Sequence, residues 1–353
     1  MSHATELNER ERRVLEAVIR SYVATAEPAG SRTLSRRFGL GVSPATIRNT
    51  MSDLEEKGFL YHPHTSAGRV PTDKAYRVYV DSLIRVDSVT RADRKKLAEE
   101  IAAGGSAIEA ILTRAAQSLG VLTQELGVAL GPRLDKAILS RVELVRVSSE
   151  RLLIVLALTG GAVRTIFVEV PGTIADEALV EVALVLNERL AGLTLEMVRT
   201  SLGSRLRDVT TKPVASELLN IFVQEGEQAF GRAADTSENV MIGQASLLAD
   251  QPEFASSDRL RQIIELTETR EQLTTLLQSR AGAAAGSGHP GLSITIGGEH
   301  GDPRLEGFTV VTAEYSAGSL NGVIGVIGPT RMPYDKIIAL VGHTSQLVSE
   351  LLC

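Results

Sequence analysis

Apolar residues recur at spacings of three and four along the first 60 residues, a pattern typical of short amphipathic helices. The first predicted helix spans residues 6–25. A short second helix is predicted over residues 33–38, with Ser31 as its N-cap. A third is predicted over residues 44–57, with Ser43 as N-cap, a proline at its first position and a glycine after its end. Three short helices joined by tight turns predict a helix-turn-helix in which the third helix reads DNA.

A hairpin and a further helix are predicted after the third helix. Residues 59–61 have β character, and residues 62–71 form a polar loop that returns into a short strand, which is the sequence form of a β wing. Residues 72–84 then return to helix. His62 and His64 are spaced like two zinc ligands, but a structural zinc site needs four and no Cys or His cluster lies nearby. We therefore predict no metal site and expect both histidines at the wing.

The predicted DNA-contacting residues lie on the third helix, at the start of the second helix and on the wing. On the third helix, Ile47, Met51 and Leu54 face the core, so the opposite side carries polar groups suited to base edges or phosphates. The predicted set consists of Ser31, Arg32, Thr33, Ser43, Pro44, Ala45, Thr46, Arg48, Asn49, Ser52, His64, Thr65, Ser66 and Arg69.

The distribution of charge supports this interpretation, although the total charge does not. The 353-residue chain has a formal net charge of −6, which by itself argues weakly against nucleic-acid binding. Residues 28–77 contain eight basic and four acidic residues, so this block carries +4 and the remainder carries −10. A basic block on an acidic body is expected when one module meets phosphate and the rest does not.

Composition also restricts the compartment and the chemistry. The single cysteine, Cys353, cannot form an intramolecular disulfide or a CxxC zinc site, and no signal peptide is expected at the N-terminus. The most apolar run, residues 152–158, is far shorter than the roughly 20 residues of a membrane span. We expect a cytoplasmic protein. The sequence has no P-loop, no serine nucleophile elbow and no His–Cys pair, so neither an enzyme nor a cofactor is predicted.

The body of the chain reads as a mixture of strands and helices. Strands before and after a helical block predict an α+β domain interrupted by an insertion. The predicted strands are residues 137–147, 151–158, 162–170, 292–296, 308–315 and 322–327, and the predicted helices are 108–119, 176–190, 212–230, 257–279 and 335–352. Glu299, His300 and Asp302 lie in a turn, where a solvated loop is the favoured interpretation over acid–base chemistry.

Several stretches resemble the heat-inducible transcription repressor family, HrcA. The similar runs are residues 28–34, 42–49, 54–58, 62–81 and 325–334, so they come from both ends of the chain. The wing stretch and the C-terminal Gly-Pro-Thr-Arg-Met run are the specific ones; the helix-turn-helix alone is not.

The resemblance implies a dimeric repressor of chaperone operons. Members bind an inverted-repeat operator upstream of chaperonin and Hsp70-type genes, a GroEL-type chaperonin maintains their active form, and heat inactivates them. The implied architecture is a winged helix-turn-helix at residues 1–86, a linker at 87–106, a GAF-like domain at 107–205 and 287–353, and an inserted, mainly helical dimerisation domain at 206–286.

Two other classes of function remain open from the sequence. One is a metabolite-responsive winged-helix transcription regulator whose GAF-like domain acts as the sensor, which requires an open apolar pocket with a few convergent polar groups. The other is an enzyme with an appended DNA-binding domain, which the absence of a catalytic constellation disfavours. A thermal-shift screen with metabolites would separate the first from a heat-responsive repressor.

Overall fold

The computed structural model describes most of the chain. The described residues are 7–63, 68–84, 86, 88–103, 107–132, 134–159, 163–170, 172, 174–207, 215–216, 218–222, 240–279, 291–318 and 320–352. Within these ranges, no helix is both long and apolar enough to cross a membrane. The helices are α1 Glu9–Thr25, α2 Ser31–Phe38, α3 Pro44–Glu56, α4 Asp73–Val78, α5 Arg91–Ala102, α6 Ile108–Thr123, α7 Asp176–Leu190, α8 Leu195–Leu206, α9 Ser246–Ala249, α10 Ser257–Glu268, α11 Arg270–Gln278 and α12 Tyr334–Leu352. The strands are β1 Leu60–Tyr61, β2 Val70–Pro71, β3 Leu126–Leu130, β4 Leu139–Ser148, β5 Arg151–Leu158, β6 Val163–Glu169, β7 Val240–Ile242, β8 Leu292–Ile296, β9 Phe308–Ala317 and β10 Leu320–Pro329.

The first two helices begin at different residues from those predicted. Helix α1 begins at Glu9 because Asn8 caps it: the Asn8 side chain accepts from the Glu11 amide at 2.9 Å, and the Glu11 carboxylate accepts from the Asn8 amide at 3.0 Å. The prediction of Ser31 as the N-cap of α2 is wrong. Gly30 has the extended backbone of a cap residue and Ser31 is already helical, so α2 has no side-chain cap.

The third helix agrees closely with its prediction. The Ser43 hydroxyl accepts from the Thr46 amide at 3.1 Å, and Pro44 occupies the first helical position. The helix ends at Glu56, one residue earlier than predicted, and the chain turns at Gly58 with a left-handed φ of 76°. Both end signals were therefore correctly identified.

The predicted hairpin is present as two short antiparallel strands. Leu60 pairs with Pro71 and Tyr61 with Val70. An isolated antiparallel bridge between Ala29 and Arg69 adds the segment between α1 and α2 to the same small sheet. The predicted loop residues 64–67 lie outside the described residues. We call residues 7–84 the N-terminal module.

The predicted linker at residues 87–106 contains a packed helix, which contradicts the linker assignment for residues 91–102. Thr90 caps α5 through a bond from the Asp93 amide at 3.1 Å. Leu97 and Ile101, one helical turn apart, are fully buried and join the core that α6 and α12 also line. Two apolar residues in a charged segment were too weak a signal to reveal this docking.

The body is built on a five-stranded antiparallel sheet with the strand order β7-β3-β10-β9-β8. Helices α6 and α12 cover one face, and α9, α10 and α11 cover the other. Strand β3 therefore lies between β7 and β10, although it comes first in the sequence. The predicted α+β class is confirmed in its coarse form.

The inserted segment lies elsewhere in the chain than predicted. Between β3 and β7, strands β4, β5 and β6 form a separate antiparallel sheet, and α7 and α8 pack on one of its faces around a core of their own. The described residues of this inserted domain fall within 134–222, whereas residues 240–279 pack on the body sheet. The predicted insertion at 206–286 is therefore wrong. Alternation identified the strands, but it could not show which sheet they join.

Candidate nucleic-acid interface

Helix α3 presents a polar, exposed face opposite its buried one. Ile47 and Leu54 are fully buried and Met51 nearly so. On the other side, Arg48 and Asn49 are exposed, and the Arg48 guanidinium forms no ion pair with a described residue. The structure thus brings a forked donor and an amide together on one accessible helix face, which is the chemistry that recognises base edges and phosphates.

The hydroxyl groups of the predicted residues at α3 are engaged locally. Ser43 and Thr46 lie at the start of α3, where their hydroxyls are 2.9 Å apart and Ser43 caps the helix. The Ser52 hydroxyl donates to the Arg48 carbonyl at 3.2 Å. Pro44 and Ala45 are exposed beside them. These residues shape and orient the N-terminal end of α3, where the helix dipole favours a phosphate.

Helix α2 extends the positive surface beyond the predicted residues. Arg32 and Thr33 are exposed as expected, and Ser31 is half-buried. Arg36 and Arg37, which are not among the predicted contacts, are exposed on the same helix, and Arg37 lies 5.7 Å from the Phe38 ring centroid. The signal was available, because α2 holds three arginines and no acidic residue in eight positions.

Arg69 is placed differently from the other predicted contacts. Its side chain is only 12% exposed, and its Nη2 lies 2.7 Å from an oxygen of Glu55 on α3. The other Glu55 oxygen lies 3.0 Å from Nδ1 of His62, at the end of β1. One carboxylate of α3 therefore holds both arms of the hairpin. His64, Thr65 and Ser66 lie outside the described residues.

A second ion pair locks α3 against α1. The Lys57 ammonium donates to both Glu11 carboxylate oxygens, at 2.9 and 2.8 Å. Burial raises the pKa of Glu11, but the bonds from Lys57 and from the Asn8 amide outweigh it, so the pKa lies below its usual value. This pair fixes the end of the exposed helix to the module's core.

Replacing Lys57 by Ala should lower the free energy of unfolding by about 2 kcal/mol at pH 7, a value reduced from that of a fully buried pair because Lys57 is 39% exposed. Glu11 would remain 6% exposed without its partner. Because its pKa is lowered on folding, the contribution is present above the carboxyl's unfolded pKa and is lost as the pH falls through the folded one. Urea titrations at pH 7 and pH 4 measure this. Lys95→Ala, which removes an exposed helical pair with Glu99, is the control, and equal losses in both variants would contradict the assignment.

Chemistry of other kinds is weakly represented in the described part of the chain. Its residues contain no group of three or more His, Cys, Asp or Glu placed to hold a metal ion. A half-open cavity of about 600 Å³ lies between α10, α11 and the turns at residues 297–305. Most of the residues that line it are polar, among them Glu265, Glu271, Gln272, His300 and Arg304.

Comparison with known proteins gives a consistent result over the whole chain. The family model described as the HrcA protein C-terminal domain matches residues 109–338. The heat-inducible transcription repressor HrcA of Geobacter sulfurreducens is 39% identical over 349 residues, which covers 99% of each chain. That of Chlorobium phaeobacteroides (strain BS1) is 39% identical over 356 residues, covering 98% of this chain and 99% of the relative.

One solved structure supports the fold. A crystal structure described as that of a hypothetical protein at 2.2 Å resolution is similar over 99% of this chain and 98% of its own, with a TM-score of 0.59 and 23% identity. The relatives and the family model define the class of protein, a heat-inducible transcription repressor and not an enzyme. The chain belongs to the HrcA family. The resemblance found in the sequence is confirmed.

Proposed function

We propose that the chain binds an inverted-repeat DNA operator as a homodimer, represses chaperonin and Hsp70-type operons, and is released by heat stress. In this proposal the N-terminal module is a winged helix-turn-helix, with α3 as the reading helix and the β1–β2 hairpin as the stem of the wing. The exposed Arg48–Asn49 face of α3, beside the arginines of α2, is the observation that carries the proposal.

The predicted contact residues take different roles in this proposal. Arg48 and Asn49 read base edges, because their forked groups are exposed and can pair with guanine and adenine. The α2 arginines contact the phosphate backbone. Arg69 holds the wing against α3, since its guanidinium is already paired with Glu55. Thr65 and Ser66 remain proposed wing contacts on the basis of the sequence alone.

Replacing Arg48 by Ala should weaken operator binding by about 1–3 kcal/mol, roughly 5- to 150-fold, if Arg48 reads a guanine. The measurement is a mobility-shift titration at fixed salt, with an inverted repeat that this protein selects from a random-sequence DNA pool. Arg20→Ala, which removes an equally charged and exposed side chain from α1, is the control and should change affinity little. Unchanged affinity of the Arg48 variant would exclude this reading role.

Replacing Glu55 by Ala should weaken operator binding by roughly threefold to tenfold, although the change removes a negative charge from the DNA-facing module. The physical reason is that Glu55 holds both arms of the wing through His62 and Arg69. Glu56→Ala removes the same charge one residue further along, where no partner is recorded among the described residues, and it should leave affinity unchanged or raise it. If both variants bind the operator more tightly, the lost negative charge alone determines the change in affinity, and Glu55 does not position the wing.

The inserted domain offers a surface for dimerisation. The face of its sheet that α7 and α8 leave uncovered carries a cluster of large apolar side chains, and we name this cluster the dimer face. It consists of Val145, Val147, Leu153, Val155, Val163 and Phe167. Four of these are 45–63% exposed, which is unusual for adjacent large apolar residues on a folded monomer.

A second copy of the chain fits this face better than an unrelated partner. The dimer face is bordered by charges of both signs, in the pairs Arg141–Glu143 and Arg151–Glu169. A two-fold axis brings the same patch of each subunit together. The positive side chains at the border of one subunit can then face the negative side chains at the border of the other. Two subunits related in this way also match the two halves of an inverted repeat.

Heat and chaperonin act on the dimer in this proposal. Separated subunits expose the dimer face, and an exposed apolar surface is what chaperones bind. A GroEL-type chaperonin, which the family resemblance implies, therefore recovers subunits that heat has separated. Addition of purified GroEL-type chaperonin and ATP to heat-treated protein should increase the fraction that binds the selected operator, and no increase would remove the chaperonin from the proposal.

The metabolite-responsive alternative rests on the cavity beside α10 and α11. Most of the residues that line it are polar, whereas a small-molecule sensor in a GAF-like domain requires an open apolar pocket with only a few convergent polar groups. A thermal-shift screen tests it, since strong stabilisation by one metabolite would favour the alternative over direct heat release.

A further inference from the structure

The N-terminal module is joined to the body by an arginine that is only partly exposed to solvent. Arg77, on α4, donates through Nε and Nη2 to the two carboxylate oxygens of Glu299, at 2.7 and 2.5 Å. Its Nη2 also donates to the Ile294 carbonyl at 2.7 Å, and the side chain is only 18% exposed. Bidentate pairs of this kind fix direction as well as distance. Glu299 is thus part of a junction and not of the solvated turn predicted from the sequence.

Two further contacts lie on either side of this pair. The Gly298 amide donates to Asp73, the first residue of α4, at 2.9 Å. Gly297 beside it has a left-handed φ of 51°, and a side chain there would collide with the Asp73 carboxylate. At the other end of the module, Arg331 pairs with Glu253 and donates to the Val23 carbonyl of α1 at 2.8 Å.

Apolar packing fills the space between these polar contacts. Tyr76 of α4 and Tyr334 of α12 are almost fully buried, with ring centroids 5.7 Å apart. The buried residues of the module and those of the body form one continuous core. Because the contacts come from both α1 and α4, they restrain rotation of the module as well as its distance from the body.

We propose that this junction, with Arg77–Glu299 at its centre, holds the reading helix in one orientation and thereby selects the spacing between the two halves of the operator. The inference rests on the proposed function. Each base pair added between half-sites moves the second by about 3.4 Å and rotates it by roughly 35°. DNA-binding modules on flexible linkers can move to fit half-sites at a new spacing. Modules fixed to a dimeric body cannot move in this way, so the DNA itself must deform to bind both of them.

The test compares spacer preferences of the wild type and two junction variants. The probes are the inverted repeat selected by the wild-type protein and versions with one to four base pairs added or removed at its centre. For the wild type, we expect a two-base-pair change to weaken binding by about tenfold or more. Glu299→Gln removes the charge that Arg77 meets, and Gly297→Ala places a methyl group against Asp73. In both variants, the same two-base-pair change in the spacer should weaken binding by less than about threefold. Their affinity for a single half-site should equal that of the wild type.

A matched control variant in the same turn distinguishes the effect of breaking the junction from the effect of a general loss of stability. Asp302→Asn removes the exposed pair with Arg304, which does not face the module, and should keep the wild-type spacer preference. Equal binding of all spacers by the wild type, or an unchanged preference in both junction variants, overturns the proposal. If both variants bind the originally selected repeat more tightly than the wild type does, the proposal is also overturned, because the junction then inhibits binding. If the wild type selects no DNA at all, the proposed function itself fails.

Discussion

Replacing Phe167 by Asp should convert the protein to monomers and weaken operator binding by about 100-fold or more, since bivalent attachment typically adds two to four orders of magnitude. Phe167 is 63% exposed in the dimer face and pairs across the sheet with Leu153. A carboxylate there costs little in the monomer, which already leaves the position open to water. In the dimer, the same carboxylate would be buried against the partner's apolar side chains.

The control lies on the opposite side of the inserted domain. Leu184, on α7, is 67% exposed and points away from the sheet. Leu184→Asp therefore removes an equal apolar exposure and should leave both the dimer and operator binding intact. Sedimentation velocity gives the oligomeric state and mobility shift gives the affinity. If only the Leu184 variant dissociates, the subunits associate through α7, and if neither does, the inserted domain is not the interface.

The free energy of unfolding of the wild type should fall by roughly 4 kcal/mol as the pH rises from about 5 to 8, and replacing Glu125 by Gln should abolish this fall. Glu125 is 2% exposed, and burial raises its pKa to about 8, although a bond from Gln251 at 3.0 Å and the charge of Arg331 oppose the rise. The nearby carboxylate of Glu253 adds to it.

The direction of the effect follows from the protons bound in each state. Between the two pKa values the folded protein keeps the Glu125 proton and the unfolded chain releases it, so stability falls as the pH rises and levels off above about 8. A glutamine is neutral throughout and should give a flatter profile in urea titrations from pH 5 to 8.5. Glu99→Gln, an exposed carboxyl on α5, should retain the wild-type slope. Parallel profiles for wild type and Glu125→Gln would contradict the raised pKa.

Local signals predicted the N-terminal module well. Helix α3 was defined at both ends because its boundaries depend on its own residues, the Ser43 cap, Pro44 and the left-handed Gly58. Its exposed face followed from helical periodicity alone. Arg69 was predicted to contact DNA, but its side chain is paired with Glu55. The sequence could not show this, because the pairing depends on how the hairpin folds back on α3.

Long-range pairing explains most of what the sequence did not reveal. The strands at residues 139–169 were predicted correctly, but their separation from the body sheet depends on the pairing of β3 with β10 and β7. The junction at Arg77 was not predicted from the sequence for the same reason, since its partner Glu299 lies more than 200 residues away along the chain. Glu125 gave no signal, because a lone glutamate shows its burial only in three dimensions.

The order of strands in the body sheet also has a consequence for synthesis. Strand β3 pairs with β10, so Leu130 meets Val323 only when the ribosome has released nearly the whole chain. Apart from Leu320, the core of the inserted domain comes from residues 134–222, which emerge well before that. During the interval, the nascent chain carries a finished apolar face and an unfinished sheet, and closure of that sheet is a slow step of high contact order. We therefore expect a newly made subunit to be prone to aggregation until β10 closes the body sheet.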